Sequence, residues 1–234
     1  MAGGEGSRAG GELPKQFHRL LGIPMLWWSV LAFHKEDPET QISIVMHPGF
    51  FDEYDEILKE QIAQSSGSDS DWMEKIRLVA GGRNRSHSVS NGILSLPDSA
   101  DSLIAVHDAA RPMVSVDLIR RGWKCAEQNK SAVPAVRVND SLRELKASGS
   151  AITDCRDSVA VDRSRFAAVQ TPQIFRADLL KAAYGLEDRP EFTDDASRVE
   201  AIGVPVCLYE GFPENIKVTN PIDFAIAETL LKDK

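Results

Sequence analysis

The 234-residue sequence predicts an α/β domain, three layers deep, on a mostly parallel sheet. Three observations predict it. Short apolar, β-branched runs alternate with segments of helical spacing. Clusters of glycine, hydroxyl and charged residues follow several of those runs, as expected where ligands bind beyond the carboxyl ends of parallel strands. Residues 139–164 alternate polar and apolar around Gly149 and are too long for an ordinary connection, which predicts a protruding β-hairpin arm.

The chain opens on AGGEGSRAGGELPKQF, residues 2–17, with five glycines within ten residues. It is not a Walker loop, because Lys15 stands four residues beyond Gly11 and no Ser or Thr follows it. Gly4-Glu5-Gly6-Ser7-Arg8-Ala9 formally satisfies the dinucleotide fingerprint, but Gly10-Gly11 and Pro14 keep it from running straight into a helix. The stretch therefore reads as an open loop carrying Arg8 and Lys15 on a wrap of backbone N–H groups. That suits a triphosphate, whose charge grows at one phosphorus during reaction. A frayed surface segment is the alternative for the loop taken alone. A phosphate loop of this kind leaves the end of a buried strand, here either reduced to Met1 or missing from the sequence.

Residues 23–33 predict a helix buried on most sides, with Trp27 and Trp28 as core rather than a base-stacking platform. QISIVMH (41–47) is a buried strand ended by Pro48-Gly49, and 51–63 a helix with an acidic first turn. After a loop at 65–71, IRLVAGG (76–82) is a strand whose Gly81-Gly82 end is similar to the first loop. A basic, hydroxyl-rich turn then leads into a helix through Val89, Ile93, Leu94 and Leu96. SLIAVHDAARP (102–112) is a strand ending in His107, Asp108 and Arg111. SAVPAVRV (131–138) and VPVCLYEG (204–211) add strands, and residues 221–231 close the chain as a proline-started helix. The clusters at 2–15, 81–88, 107–111 and 215–219 all fall where a strand should end, so they converge on one sheet edge.

A hydrophobic fraction of 42% and a charged fraction of 26% are those of an ordinary globular chain. The net charge of −8 argues against nucleic acid as a partner and makes any anion site a local cationic pocket. Cys125, Cys155 and Cys207 are widely spaced and read as reduced thiols, mostly core fillers. No apolar run approaches membrane-spanning length and no signal peptide opens the chain, so a cytoplasmic protein is expected.

AGGEGSRAGGELPKQF, AGGRNRSHSVSNG, VHDAARP, NDSL, VDRSRFAAVQTPQIF, FTDDAS and ENIKVTNPIDFAIAE together resemble the 2-C-methyl-D-erythritol 4-phosphate cytidylyltransferase family, in order and over essentially the whole chain. The resemblance implies one Rossmann-like nucleotidyltransferase domain over 1–234, with the 139–164 arm making a homodimer. It implies CMP transfer from CTP to the polyol phosphate, with release of pyrophosphate, in non-mevalonate isoprenoid synthesis. By the same resemblance Arg8 and Lys15 grip the CTP triphosphate and stabilise the reacting α-phosphorus, while Ala2, Gly3, Gly4 and Gly6 line the loop. Gly81, Gly82 and Ser88 contact cytosine and ribose, with backbone groups reading the base. Asp108 and Arg111 stand on the sugar-phosphate and metal side, Asp108 as the Mg²⁺ ligand. Ser141 stands where the family often has threonine. Arg163 and Thr171 hold the methylerythritol phosphate from the partner subunit, and Lys217 is a further phosphate and transition-state contact. In the family the first strand is a central element, and its absence would expose a sheet edge.

The residues agree with that chemistry on their own. A phosphate monoester has a second pKa of about 6 and attacks an α-phosphorus without a general base. It needs cations between two anions and a Mg²⁺ on the triphosphate. Arg8, Lys15, Arg111, Arg163 and Lys217 are candidate cations beside one carboxylate, Asp108. His107 is available as a base, though a strand-end histidine is more often a structural hydrogen-bonder. A ribitol 5-phosphate cytidylyltransferase, a sugar 1-phosphate nucleotidyltransferase and a catalytically inactive nucleotide sensor or scaffold are the alternatives.

Overall fold

The computed structural model describes residues 15–64, 72, 75–97, 99–145 and 158–232. A two-residue ladder, β1 (Arg19–Leu20) with β2 (Ile23–Pro24), turns through Leu21 and Gly22 at φ 51° and 82° and delivers α1 (Met25–Glu36). β3 (Ile42–Met46) and β4 (Ile76–Ala80) pair in parallel around α2 (Phe51–Gln64). α3 (Arg85–Ser95) and β5 (Leu103–Val106) follow, then α4 (Val116–Asn129) and β6 (Ser131–Arg137). Next come β7 (Arg143–Leu145), β8 (Ser158–Ala160), β9 (Ala167–Val169) and β10 (Gln173–Arg176). α5 (Ala177–Tyr184), α6 (Asp195–Ala201), β11 (Leu208–Glu210) and α7 (Pro221–Lys232) complete the chain.

Local chemistry sets the helix ends. Asn84, Ser115 and Asp194 cap α3, α4 and α6 by accepting from the N–H groups of His87, Leu118 and Ser197. At α6 the Ser197 hydroxyl also accepts from the Asp194 N–H, completing a reciprocal cap. α4 stops at Lys130, whose left-handed φ of 65° returns its N–H to Ala126.

The larger sheet runs β11-β6-β10-β5, with β9 on β6. β6 and β11 pair in parallel, and β10 lies antiparallel between β5 and β6, so those two run the same way. The mostly parallel expectation therefore holds for the strands read from the sequence. β9 and β10 are additions to it, as are α4, α5 and α6. Trp27 is core as expected, 1% exposed and packed against Tyr54 and Trp72. Trp28 is half-buried, its indole donating to the Leu20 carbonyl at 3.2 Å.

β3–β4 forms a separate two-stranded sheet. Between β3 and β5 lies a cavity of about 1100 Å³ lined by Ile42, Ile44, Val45, Ile93, Leu103 and Ala105 among others. Among the described residues no strand bridges those two edges. The strand expected ahead of the glycine-rich loop is thus not among the described residues, nor are residues 2–14 of the loop itself.

The arm is present at its base. β7 and β8 pair antiparallel in a sheet of their own, Arg143 opposite Ala160, tightened by Arg143 Nε to Ser158 Oγ at 2.7 Å. Gly149 and Cys155 lie outside the described residues. Cys125 packs against the core cluster of Ala126, Ala132 and Ile174, as the core-filler reading expects, but both it and Cys207 are only half-buried, and their sulfurs stand 3.6 Å apart. Among the described residues no helix is long and apolar enough to cross a membrane.

Candidate active site

Three of the four strand-end clusters, 81–88, 107–111 and 215–219, lie among the described residues, and they meet. β4 ends in Gly81-Gly82, whose N–H groups donate to the Met46 carbonyl at 2.7 Å and to Ser88 Oγ at 3.0 Å. Close approach explains the glycines. A Cβ on Gly82 would stand 2.3 Å from the His87 Cβ and 3.0 Å from its backbone carbon. Ser88 is buried, and its hydroxyl donates to the Asn84 carbonyl at 2.9 Å. The hydroxyl thereby holds the Gly82 turn onto α3.

β5 ends in His107 and Asp108, and a short hydrogen-bonded relay fixes both. The Asp108 N–H donates to Thr171 Oγ1 at 3.1 Å, and that hydroxyl lies 3.0 Å from His107 Nδ1. His107 Nε2 lies 3.2 Å from the Arg111 carbonyl, which can only accept, so Nε2 carries the proton and Nδ1 accepts from Thr171. Burial holds this imidazole down at about 3. His107 is therefore a neutral structural bridge rather than a base. Thr171 is buried beside Asp108 of its own chain, which corrects its placement as a ligand reaching into a neighbouring subunit.

Asp108 is the charged centre. Its Oδ2 pairs with Lys217 Nζ at 2.7 Å and its Oδ1 faces Arg85 Nη2 at 3.8 Å. Burial opposes its ionisation, yet Lys217 first and Arg85 after it hold the carboxyl well below the usual carboxylate range. Lys217 is brought here because Val218 N–H donates to the Ala110 carbonyl at 2.7 Å and Arg111 Nη1 donates to the Asn215 carbonyl at 2.7 Å. Buried Asn215 is itself seated by donating to the Thr171 carbonyl at 2.9 Å. Burial pulls the Arg111 guanidinium below its ordinary value, with Asp108 opposing.

Sequence reasoning missed Arg85 and its anchor. Arg85 places Nη1 and Nη2 at 3.1 and 2.7 Å from the carboxylate of Asp195, which is fully buried at the start of α6. The FTDDAS run signalled the cap on α6 but not this partner.

The remaining expected residues are described only in part. Lys15 opens a single 3₁₀ turn, Lys15–Phe17, whose Phe17 packs in one cluster with Met46 and Ala109 at the strand ends. Ala2, Gly3, Gly4, Gly6 and Arg8 lie outside the described residues. Ser141 is exposed near the base of the arm, and Arg163 is exposed in the 3₁₀ turn Arg163–Arg165, donating to the Asn139 carbonyl.

This geometry, one carboxylate between cations at the carboxyl edge of an α/β sheet, can be placed among known proteins. The family model described as IspD, 2-C-methyl-D-erythritol 4-phosphate cytidylyltransferase, matches residues 1–233. The chain belongs to that family. A family member from Bacteroides thetaiotaomicron is 43% identical over 232 residues, covering 99% of this chain and 97% of the relative. The crystal structure of the Thermus thermophilus family member superposes with a TM-score of 0.70 at 30% identity, covering 96% of each chain. A crystal structure of 4-diphosphocytidyl-2C-methyl-D-erythritol synthase superposes with a TM-score of 0.74 at 30% identity, covering 93% of this chain and 94% of that one. The family's α/β nucleotidyltransferase fold is thus the fold of this chain.

Proposed function

We propose that this chain transfers CMP from CTP to 2-C-methyl-D-erythritol 4-phosphate, releasing pyrophosphate, on the non-mevalonate route to isoprenoids. The match to the family over residues 1–233 carries the reading. In the reaction a phosphate oxygen of the polyol phosphate bonds to the α-phosphorus of CTP. The α–β bridging bond breaks, and its electron pair leaves with pyrophosphate. No proton need be removed from the nucleophile, because a phosphate monoester with a second pKa of about 6 is ionised near neutrality. A neutral, doubly engaged His107 accords with that. The work left to the protein is electrostatic: Arg8, Lys15 and Lys217 face the triphosphate, while Arg111, Ser141 and Arg163 receive the polyol phosphate. Asp108 stands on the polyol-phosphate side and would also supply a carboxylate to a Mg²⁺ ion. Bound there, the ion neutralises triphosphate charge.

The working unit of this reading is a cytoplasmic homodimer joined through the arm. A lone two-stranded hairpin is marginal in water, and Leu145, Val159, Phe166 and Val169 are left exposed along β7, β8 and the return to β9. Pyrophosphate release from CTP with 2-C-methyl-D-erythritol 4-phosphate, and with ribitol 5-phosphate, tests the substrate. Turnover with the first, more than tenfold below it with the second, and more than tenfold CTP preference over ATP and GTP are expected, discrimination within reach of a site that hydrogen-bonds its base. Preference for ribitol 5-phosphate, or equal use of ATP, overturns the assignment.

A further inference from the structure

Gly82 follows β4 and Ser88 rides on α3, while Asp108 follows β5. A side-chain bridge ties these two sides of the site together. Arg85, the first residue of α3, sets its fork on Asp195 of α6 at 3.1 and 2.7 Å, and its Nη2 reaches to 3.8 Å from Asp108. Beside it Asn84 donates to Asp188 at 2.8 Å.

Asp195 makes this fork rigid. The carboxylate is fully buried and also accepts from the Tyr184 hydroxyl, so it is held from two sides. A buried carboxylate left without its cation is strongly destabilised, and a planar bidentate pair has one geometry. Lysine offers a point charge and no fork, so it cannot copy this arrangement.

We propose that Arg85 is a positioning residue for the cytidylyl transfer. Locked by Asp195, it holds α3 and its nucleotide turn in register with Asp108, the acceptor-side carboxylate. Each side binds its own substrate without it; what Arg85 supplies is the alignment between them. The proposal rests on the reaction proposed above. A misplacement of about 1 Å between reacting groups costs on the order of 10²-fold in rate.

The test is steady-state kinetics of full-length Arg85→Lys, Asp195→Asn and the double variant, with thermal midpoints, against wild type that turns over CTP and 2-C-methyl-D-erythritol 4-phosphate. Wild type without turnover refutes the reaction, not Arg85. With wild type active, Arg85→Lys is expected to lose kcat by tenfold or more, with KM for both substrates within threefold and the midpoint little moved. The double variant should be no slower than the slower single one, because the two residues act as one unit. Wild-type kcat in Arg85→Lys overturns the proposal. So does a kcat loss that disappears on cooling below a lowered midpoint, which marks a purely structural staple. If Asp195→Asn does not fold, Arg85→Lys alone decides by the same criteria.

Discussion

Gly82→Ala probes the nucleotide turn at its tightest point. An alanine Cβ would stand 2.3 Å from the His87 Cβ and 3.0 Å from its backbone carbon, so the first turn of α3 must move away. Overpacking of this kind typically costs about 1–3 kcal/mol. The shift also strains the 3.0 Å bond from Gly82 N–H to Ser88 Oγ, worth about 1 kcal/mol. Together these give roughly 2–4 kcal/mol, and at about 2–4 °C per kcal/mol for a chain of this size the midpoint falls by roughly 5–15 °C. Gly81→Ala is the graded control, since its Cβ would meet only the Met46 carbonyl at 3.2 Å and Ser88 Oγ at 3.3 Å. Calorimetry and initial rates read both variants. Gly82→Ala should raise KM for CTP at least tenfold and leave KM for the polyol phosphate within threefold, with Gly81→Ala milder in both respects. A Gly82→Ala protein with wild-type midpoint and wild-type KM for CTP refutes the close-packed turn and the base-reading role built on it.

Lys15→Ala should lower kcat by at least 100-fold with little change in midpoint, since loss of one transition-state donor costs about 3 kcal/mol; near-wild-type turnover removes Lys15 from the site. Mixing Lys217→Ala with Arg163→Ala chains should restore up to about a quarter of wild-type activity, because random exchange makes half the dimers mixed and each holds one intact site. No gain after demonstrated subunit exchange rejects the shared site. Burial, then Cys207, push the Cys125 thiol up to about 11, so at pH 8 about one molecule in a thousand carries its thiolate. Iodoacetamide labelling followed by peptide mass mapping should find Cys125 modified far more slowly than an unshifted thiol; equal rates contradict that environment.

The elements legible in the sequence were those whose signal is local. β5 is an unbroken apolar run, β3, β4 and β6 are short and mostly apolar, and Pro221 announces α7. α4 was legible too, from Ser115 as cap with Leu118, Ile119 and Ala126 on one face, and was passed over. β10 gave no such signal: it is four residues long, follows Pro172, and opens on a buried glutamine satisfied by Asp194 and the Ala196 N–H. Within the site, Asp108 and Lys217 could be named from motif and strand-end position. The pairing of Arg85 with Asp195 could not, because the two stand 110 residues apart and only the packing of α3 against α5 and α6 brings them together. Residue type and motif mark the region of Thr171 but not its tie to Asp108 and His107 of its own chain. A hydroxyl's partner is decided by burial, which residue type does not reveal.

The cavity between β3 and β5 bears on handling as well as on catalysis. Among the described residues the β3 and β5 edges face a largely apolar space, and β3, with Ile42, Ile44 and Val45 in five residues, is the kind of segment that associates with its own copies when uncovered. On warming, any loosening of α1 or α3 over that space opens these edges to other molecules before the larger sheet has come apart. Loss of solubility should then run ahead of the loss of secondary structure, at a temperature that falls as protein concentration rises.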